Sequence, residues 1–537
     1  MSLLVYSVVI LACILVGSGL RCSLGPEWWP TDPANPRPWM VEPDCYSQLA
    51  RVQRILEGQG LVQNHFTVEN WPEGLTPSTT ATFDYVILAL YAPLALFTRY
   101  PLDWAGALVS PVLWLGLLAF IILIRGRSFG LFGRAALVAG ISLMPSLVWA
   151  SAFGRPRHQS LIIGLLTMAL ILEYERWRKD AQRPWHIAAG IVWGLLCWTS
   201  LYEPLFIVLA LGLFNLVARR RESAAFGISF GVVMLVALLV EGVHVFIPPP
   251  ELRPVLERWL GYVSEMSGMG VTEFIVGLSL SAPGDNVFFW ICGLLFLLAL
   301  PWMAFYLWRA KELTDRFIII LAIILAAFMF SQHRWLPYAE LAELFVVVRY
   351  MNLRPIHWSS WFIVVIFLIN ITRANQIAII IVDALPRNQP SAEMASISDS
   401  IDKPGAILAP WWISPGLLYF SGHPIVSGSS HCGISGIEAS ARFFAATSWP
   451  AAERVLKERK AHWVVVWNEP RYVYSVLSSS QRILGEPQST LADRRDADST
   501  VAQMLIISRG VPADLQLCAV TQHLKLYEFL DDGQTPP

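Results

Sequence analysis

A polytopic bundle of transmembrane helices, mainly α, with a soluble α/β domain at its C-terminus, is the fold class this sequence predicts. Of its 537 residues 55% are hydrophobic and 15% charged, with a mean hydropathy of +0.51, whereas a water-soluble domain carries about 25% charged residues. Apolar runs of spanning length recur from residue 3 to residue 382, and the connections between them alternate between rich and poor in Lys and Arg. Past residue 388 the pattern changes to short strand-like and amphipathic helical runs. The balance of 39 Lys+Arg against 40 Asp+Glu leaves no basic face for a nucleic-acid backbone, which argues against nucleic acid as a partner. Seven cysteines contain no CxxC pair, so neither a zinc site nor a thioredoxin-like motif is written here; Cys22 and Cys45 pair only if their segment faces an oxidising space.

Residues 3–20 (LLVYSVVILACILVGSGL) are long enough to span, and no A-x-A cleavage site follows, which predicts a retained helix rather than a removed signal peptide. Further spans are predicted at 103–124, 133–152, 159–175, 186–200, 203–218, 225–247, 286–308, 316–332, 335–349 and 358–382, which brings the crossings to about 11. Five connections carry clustered cations: Arg125, Arg127 and Arg134; Arg176, Arg178, Lys179 and Arg183; Arg219, Arg220 and Arg221; Arg309, Lys311 and Arg316; Arg349 and Arg354. The positive-inside rule puts these in the cytoplasm. With residues 1–20 running inside to outside, the apolar stretch 81–98 cannot be a crossing, since counting it would export all five clusters. It is read as an embedded helix on the outer side, in keeping with Asp84 and Pro93. Two domains follow: a transmembrane domain at 1–387, whose first outer loop is 21–102, and an extracytoplasmic α/β domain at 388–537 with strand-like AILAP, HWVVVW, AQMLIIS and LKLYEFL and helical GIEASARFF and WPAAERVLKERK.

Ionisable groups at a membrane boundary are costly, so their positions are informative. Four predicted outer elements concentrate them. Asp44 opens the amphipathic segment DCYSQLARVQRILEGQG, where it acts in a site or caps the helix. Arg155, Arg157 and His158 share one tight turn, and interfacial arginines also serve lipid headgroups. Glu265 lies in a loop bearing Arg253, Glu257 and Arg258, and Arg334 stands at the mouth of a span, where an arginine also snorkels. Glu203, Glu340 and Glu343 are read as structural. Together, two carboxylates and several cations on one side of a bundle suit a transfer reaction with an anionic, lipid-linked leaving group: carboxylates orient or deprotonate a nucleophile, and arginines or a metal neutralise the departing phosphate.

The order of these motifs resembles the catalytic subunit of oligosaccharyltransferases, in particular its divergent bacterial relatives within the GT-C class of membrane glycosyltransferases, over nearly the whole chain. EPDCYSQLARVQRILEGQGLV is similar to the family's first outer loop, so that Asp44 takes the place of its catalytic Asp; ENWPEGLTPSTTATFDYVI is similar to the stretch leading to an outer-side helix. AFGRPRHQS falls where the family carries a second acidic metal ligand, YVSEMSG resembles the loop whose Glu contacts the acceptor (Glu265), and HRWLPY resembles the region with an acceptor-contacting Arg (Arg334). GAILAPWWISPGLLYF resembles the segment with Trp-Trp-Asp-Tyr-Gly, which implies that Trp411 and Trp412 shape the acceptor groove. Two departures stand out: Ile413 replaces the Asp that grips the Ser or Thr of the Asn-x-Ser/Thr acceptor, and Arg155-Pro156-Arg157 replaces an acidic ligand.

The resemblance implies an integral, multi-pass enzyme of the bacterial inner membrane. It would move a glycan from a polyprenyl phosphate or diphosphate to an extracytoplasmic protein, lipid or polysaccharide acceptor. Asp44 and Glu265 would position the nucleophile and hold Mg2+ or Mn2+ if one is used. Arg155, Arg157 and His158 would contact the leaving phosphate, with the arginines standing in for the metal. The alternatives are a GT-C transferase that uses a polyprenyl-phosphate monosaccharide to modify a lipid or polysaccharide, and a non-catalytic membrane scaffold.

Overall fold

Prolines and glycines punctuate the apolar runs and decide where helices break and how closely they approach. The computed structural model describes residues 3–23, 36–77, 79–124, 128–200, 202–219, 222–242, 301, 304–309, 312–352, 390–430, 432–485 and 500–530. Two compact units divide them: the described residues of Met1–Trp29, Ala107–Val240 and Glu265–Arg387 form the first, and those of Pro30–Gly106, Glu241–Ser264 and Asn388–Pro537 the second. The loop with Glu265 and the span read at 358–382 lie outside the described residues.

The first unit is helical. α1 (Leu3–Ser23) lies against Leu131–Leu143, Gln159–Arg176 against Arg183–Thr199, and Leu313–Ser331 against Leu336–Asn352. The run predicted as one span at 133–152 is cut by Pro145 into Leu131–Leu143 and Pro145–Ala150. Proline has no N–H for the carbonyl four residues back. Buried Arg21 supplies the missing donor to the Ile141 carbonyl (3.1 Å), and also reaches Ser142 O (3.0 Å) and Ser151 Oγ (2.8 Å). Gly190 and Gly194, four apart, let Arg183–Thr199 approach Ala224–Glu241 closely: a Cβ at Gly194 would come within 2.7 Å of Val233 Cβ. Pro101–Leu123 and Ala224–Glu241 are each long and apolar enough to cross a bilayer.

Two arginines from the cation-rich connections are buried rather than solvated. Arg176 meets both Glu173 and Glu222, and Arg349 meets Asp315. Each carboxylate is drawn from another turn or helix, which compensates a charge that the unit would otherwise bury alone.

In the second unit the C-terminal segment forms a four-stranded sheet in the order β1-β2-β4-β3: Ala406–Leu408, Ala461–Trp467, Leu524–Phe529 and Leu515–Val520. β1 and β2 are parallel and the other pairs antiparallel. Ile434–Ala445 and Arg471–Leu484 lie side by side, and Trp449–Glu458 and Val501–Ile507 reach β2. AQMLIIS, read as a strand, is helical instead. Its buried positions Val501, Ala502, Leu505 and Ile506 follow a helical rather than an alternating period, and a seven-residue apolar run does not distinguish the two by itself. The first loop is stitched on to this segment. Phe66 bridges Leu75, Glu69 bridges Ile425, and Ile425 bridges Ile407 of β1. Arg459 donates to the carbonyls of Trp71 (3.3 Å) and Ser435 (2.7 Å) and pairs with Glu73.

Candidate functional site

The residues singled out from sequence divide between the two units: Asp44, Trp411 and Trp412 belong to the second, and Arg155, Arg157, His158 and Arg334 to the first.

In the second unit Glu42-Pro43-Asp44-Cys45 turns tightly, Cys45 N–H donating to the Glu42 carbonyl (3.0 Å), before helix Tyr46–Leu56 begins. Asp44 sits half-buried in this turn; the residue at the helix N-cap is Cys45. Cys22 and Cys45 are not joined to each other by a disulfide. Tyr46 stacks on Tyr419 at 5.1 Å and meets Phe420 at 4.8 Å, which couples the Asp44 turn to the helix Ser414–Ser421 that follows the tryptophan pair. Leu49 and Val52 are buried, but Leu56 is exposed, while Arg51 points inward to Asp84 (2.6 Å) and the Thr80 carbonyl (3.1 Å). Asp84 stands in the first turn of Thr82–Leu94, whose thirteen residues cover only about 20 Å, short of a bilayer core.

Glu69 is the residue that sequence reasoning missed. It is 5% exposed, and its carboxylate accepts the Ser430 N–H at 2.9 Å. Burial pushes its carboxyl up to about 7; the Ser430 hydrogen bond works against that shift, nearby Asp44 adds to it and Arg51 opposes it. Glu69 thus lies within the electrostatic reach of a second carboxylate and of a guanidinium. The close fit is specific: a Cβ on Gly428 would run into the Glu69 carboxylate. Asn70, at φ 61, adopts the left-handed turn that lets its side chain accept from Ser435 Oγ (2.9 Å) and Gly436 N (2.6 Å). The Glu-Asn-Trp-Pro-Glu-Gly string was the available signal, because a turn this dense in Asn, Pro and Gly places its side chains rigidly.

Trp411 and Trp412 meet edge to face at 5.7 Å, and Trp411 packs on Ile437, Ala441 and Ile483. Ile413 beside them is fully buried, so its side chain fills the interior of the unit.

In the first unit Gly154, at φ 74, turns the chain so that its N–H reaches the Ala107 carbonyl (3.0 Å). Arg155 is buried, its guanidinium 4.2 Å over the Trp149 ring and donating to the Trp149 carbonyl (3.3 Å), while its own carbonyl accepts from Ser110 Oγ (2.7 Å). Arg157 and His158 are half-buried, and the Arg157 carbonyl accepts from Ser160 Oγ (2.8 Å). Glu203, read as structural, gathers charge from two of the predicted elements. It is fully buried, accepts from Ser200 Oγ at 2.8 Å, pairs with Arg334 and lies within the electrostatic reach of His158. Arg334 also stands 4.7 Å over the Tyr202 ring, and Tyr202 donates to Gln332 Oε1 (2.9 Å). Glu340 accepts from Ser146.

Among the described residues no three His, Cys, Asp or Glu side chains gather as a metal site. Asp44 and Glu69 offer two carboxylates with Arg51 beside them, a smaller oxygen set than Mg2+ or Mn2+ takes, so these residues do not complete a site for either ion by themselves.

No family model matches this sequence, and no curated protein matches it either. Three-dimensional likeness is extensive. An oligosaccharyltransferase, AglB, from Archaeoglobus fulgidus, in complex with an inhibitory peptide and a dolichol-phosphate, superposes with a TM-score of 0.66 at 13% identity, over 95% of this chain and 78% of that one. The same organism's enzyme tethered to an acceptor peptide with the NVT sequon gives 0.64 at 13%, over 95% and 79%. ArnT from Cupriavidus metallidurans, bound to undecaprenyl phosphate, gives 0.57 at 13%, over 99% of both chains. The chain thus shares the fold of these structures.

Proposed function

We propose that this protein is an integral membrane glycosyltransferase that transfers a sugar or oligosaccharide from a polyprenyl phosphate or diphosphate to an acceptor on the extracytoplasmic face. The observation that carries this reading is the fold, shared over nearly the whole chain with an oligosaccharyltransferase and with ArnT, together with the buried Glu69 carboxylate in the electrostatic reach of Asp44 in the first loop. In this reading the helices between Leu3 and Asn352, with the segments outside the described residues, make up about 11 crossings, and the sheet-bearing segment lies outside the inner membrane.

The chemistry is an inverting displacement. The acceptor's nucleophilic atom forms a bond to the sugar C1 as the bond from C1 to the phosphate oxygen breaks, and the electron pair leaves with the phosphate. Asp44 orients the nucleophile and takes its proton, with Glu265 as its partner in this role. Arg157 and His158 face the leaving phosphate, while Arg155 braces their turn through Trp149. Arg334 shares Glu203 with His158, which supports a role at the phosphate in place of the acceptor role implied by sequence. If Mg2+ or Mn2+ takes part, Asp44 and Glu265 are the residues to hold it, and it would add positive charge for the leaving group.

A second reading of the acceptor is favoured by Ile413. A fully buried aliphatic side chain cannot accept a hydrogen bond from a Ser or Thr hydroxyl, so a lipid or polysaccharide acceptor, with a monosaccharide donor, fits better than Asn-x-Ser/Thr. Trp411 and Trp412 then line the groove for a sugar or lipid group. The test is transfer from a fluorescent polyprenyl-linked sugar by purified protein in liposomes, with mass spectrometry of the labelled acceptor. Asp44→Asn should cut transfer by about 100-fold or more with folding intact; transfer at the wild-type rate would exclude Asp44 as the base.

A further inference from the structure

Within the first unit, buried arginines meet buried carboxylates in two geometries. Arg349 grips Asp315 fork-on, Nε to Oδ1 at 2.8 Å and Nη2 to Oδ2 at 3.2 Å, and Tyr174 OH and the Ser128 carbonyl complete the knot. Arg176 donates from Nε to Glu173 Oε1 at 2.8 Å and brings Nη2 within 2.8 Å of Oε2. Arg334 instead approaches Glu203 end-on through Nη2, while the other Glu203 oxygen takes the Ser200 hydroxyl. A two-pronged pair is strong and geometrically fixed; an end-on pair is more easily traded for another anion.

We propose that Glu203 is a positioning residue that holds Arg334 in a resting place, from which the lipid-linked phosphate of the donor draws it away. The inference rests on the transferase reading above, because it takes a polyprenyl phosphate as the competing anion. Glu203 suits this role on three counts. It is fully buried, so leaving its charge without a cation is costly, which favours the return of Arg334. Its electrostatic reach includes His158, in the same turn as Arg157, so that side chains from two turns converge on one internal carboxylate. Finally, Ser200 anchors the carboxylate from the far side, so it stays in place when Arg334 departs and recaptures the guanidinium when the phosphate leaves. Phosphate binding in this arrangement works against an internal competitor, and the apparent affinity is lowered by the fraction of molecules in which Arg334 is held.

The experiment uses full-length protein in detergent and undecaprenyl phosphate as the probe, with retention read by native mass spectrometry and thermal unfolding run in parallel. Glu203→Gln keeps the shape and a neutral acceptor for Ser200 but removes the competing charge, and should bind the lipid phosphate about tenfold more tightly. Glu203→Asp, which withdraws the carboxylate by one methylene and keeps the charge, should gain about two- to threefold and serves if the Gln variant does not fold. Adding Arg334→Gln to Glu203→Gln should abolish the gain. Binding no tighter than wild type in the folded variants would make Glu203 a purely structural partner and overturn the proposal. A wild-type protein that does not retain the lipid phosphate defeats the donor assignment as well, so the two failures are distinguishable.

Discussion

Arg334 and Arg349 stand at the two ends of the same helical segment, His333 to Asn352, and both meet carboxylates that are fully buried, yet the two pairs are built differently. At the Arg349 end the fork of the guanidinium is closed on Asp315, and the Tyr174 hydroxyl donates to the same carboxylate. At the Arg334 end the contact is end-on, the supports are Ser200 and the Tyr202 ring, and the neighbouring turn supplies His158. Burial alone therefore does not identify a functional charge. What separates a knot from an exchangeable contact is how many directed hydrogen bonds hold it and whether other cations stand nearby. The Glu69 corner extends the contrast: its carboxylate is buried against a backbone N–H with a second carboxylate in range, so its charge is only partly answered.

If the Arg349 end is a knot, breaking it should be severe. Asp315→Ala leaves a buried guanidinium without its carboxylate and should cost about 3–5 kcal/mol, seen as a loss of folded protein in detergent, whereas a neutral result would erase the distinction between the two ends. Next in size is Glu69→Ala, which orphans the Ser430 N–H and opens a void, at a cost of about 1–3 kcal/mol. Glu69→Gln keeps an acceptor for Ser430 and removes the charge, and its effect should depend on pH. The Glu69 carboxyl titrates higher in the folded protein (about 7) than the ordinary 4.5, so the folded state holds its proton more tightly. That contribution to stability is fully present below about 4.5 and is lost as pH rises through about 7. Thermal unfolding should show wild type losing stability across this window and Glu69→Gln losing less; parallel curves would place the carboxyl outside the low-dielectric corner. The smallest change is Ser200→Ala, which removes one hydrogen bond to Glu203 at about 1 kcal/mol, and a shift as large as that of Asp315→Ala would mean that the two pairs are equally fixed.

Much of the fold was legible in the residues. Helices stand at Gln159–Arg176, Arg183–Thr199, Tyr202–Val217, Leu313–Ser331 and Leu336–Asn352, within a few residues of the predicted spans, because apolar length is a local property. HWVVVW and LKLYEFL are strands for the same reason. Less of the candidate site was legible. Asp44, His158 and Arg334 are conspicuous in sequence because each is a polar or charged residue beside an apolar run. Glu69 opens a stretch whose resemblance concerns the segment as a whole and singles out no side chain, and Glu203 reads as structural.

Sequence alone determined which long segments are apolar and helical and which connections carry clustered cations. These follow from residue type and spacing over a few turns. Only tertiary structure decided that Arg51 turns inward to Asp84, that Glu69 is buried against the Ser430 N–H, and that Glu203 pairs with Arg334. Each of those is a choice of partner between groups distant along the chain. A buried charge takes whichever counter-charge the packing brings within a few ångströms, and local periodicity carries no information about that distance.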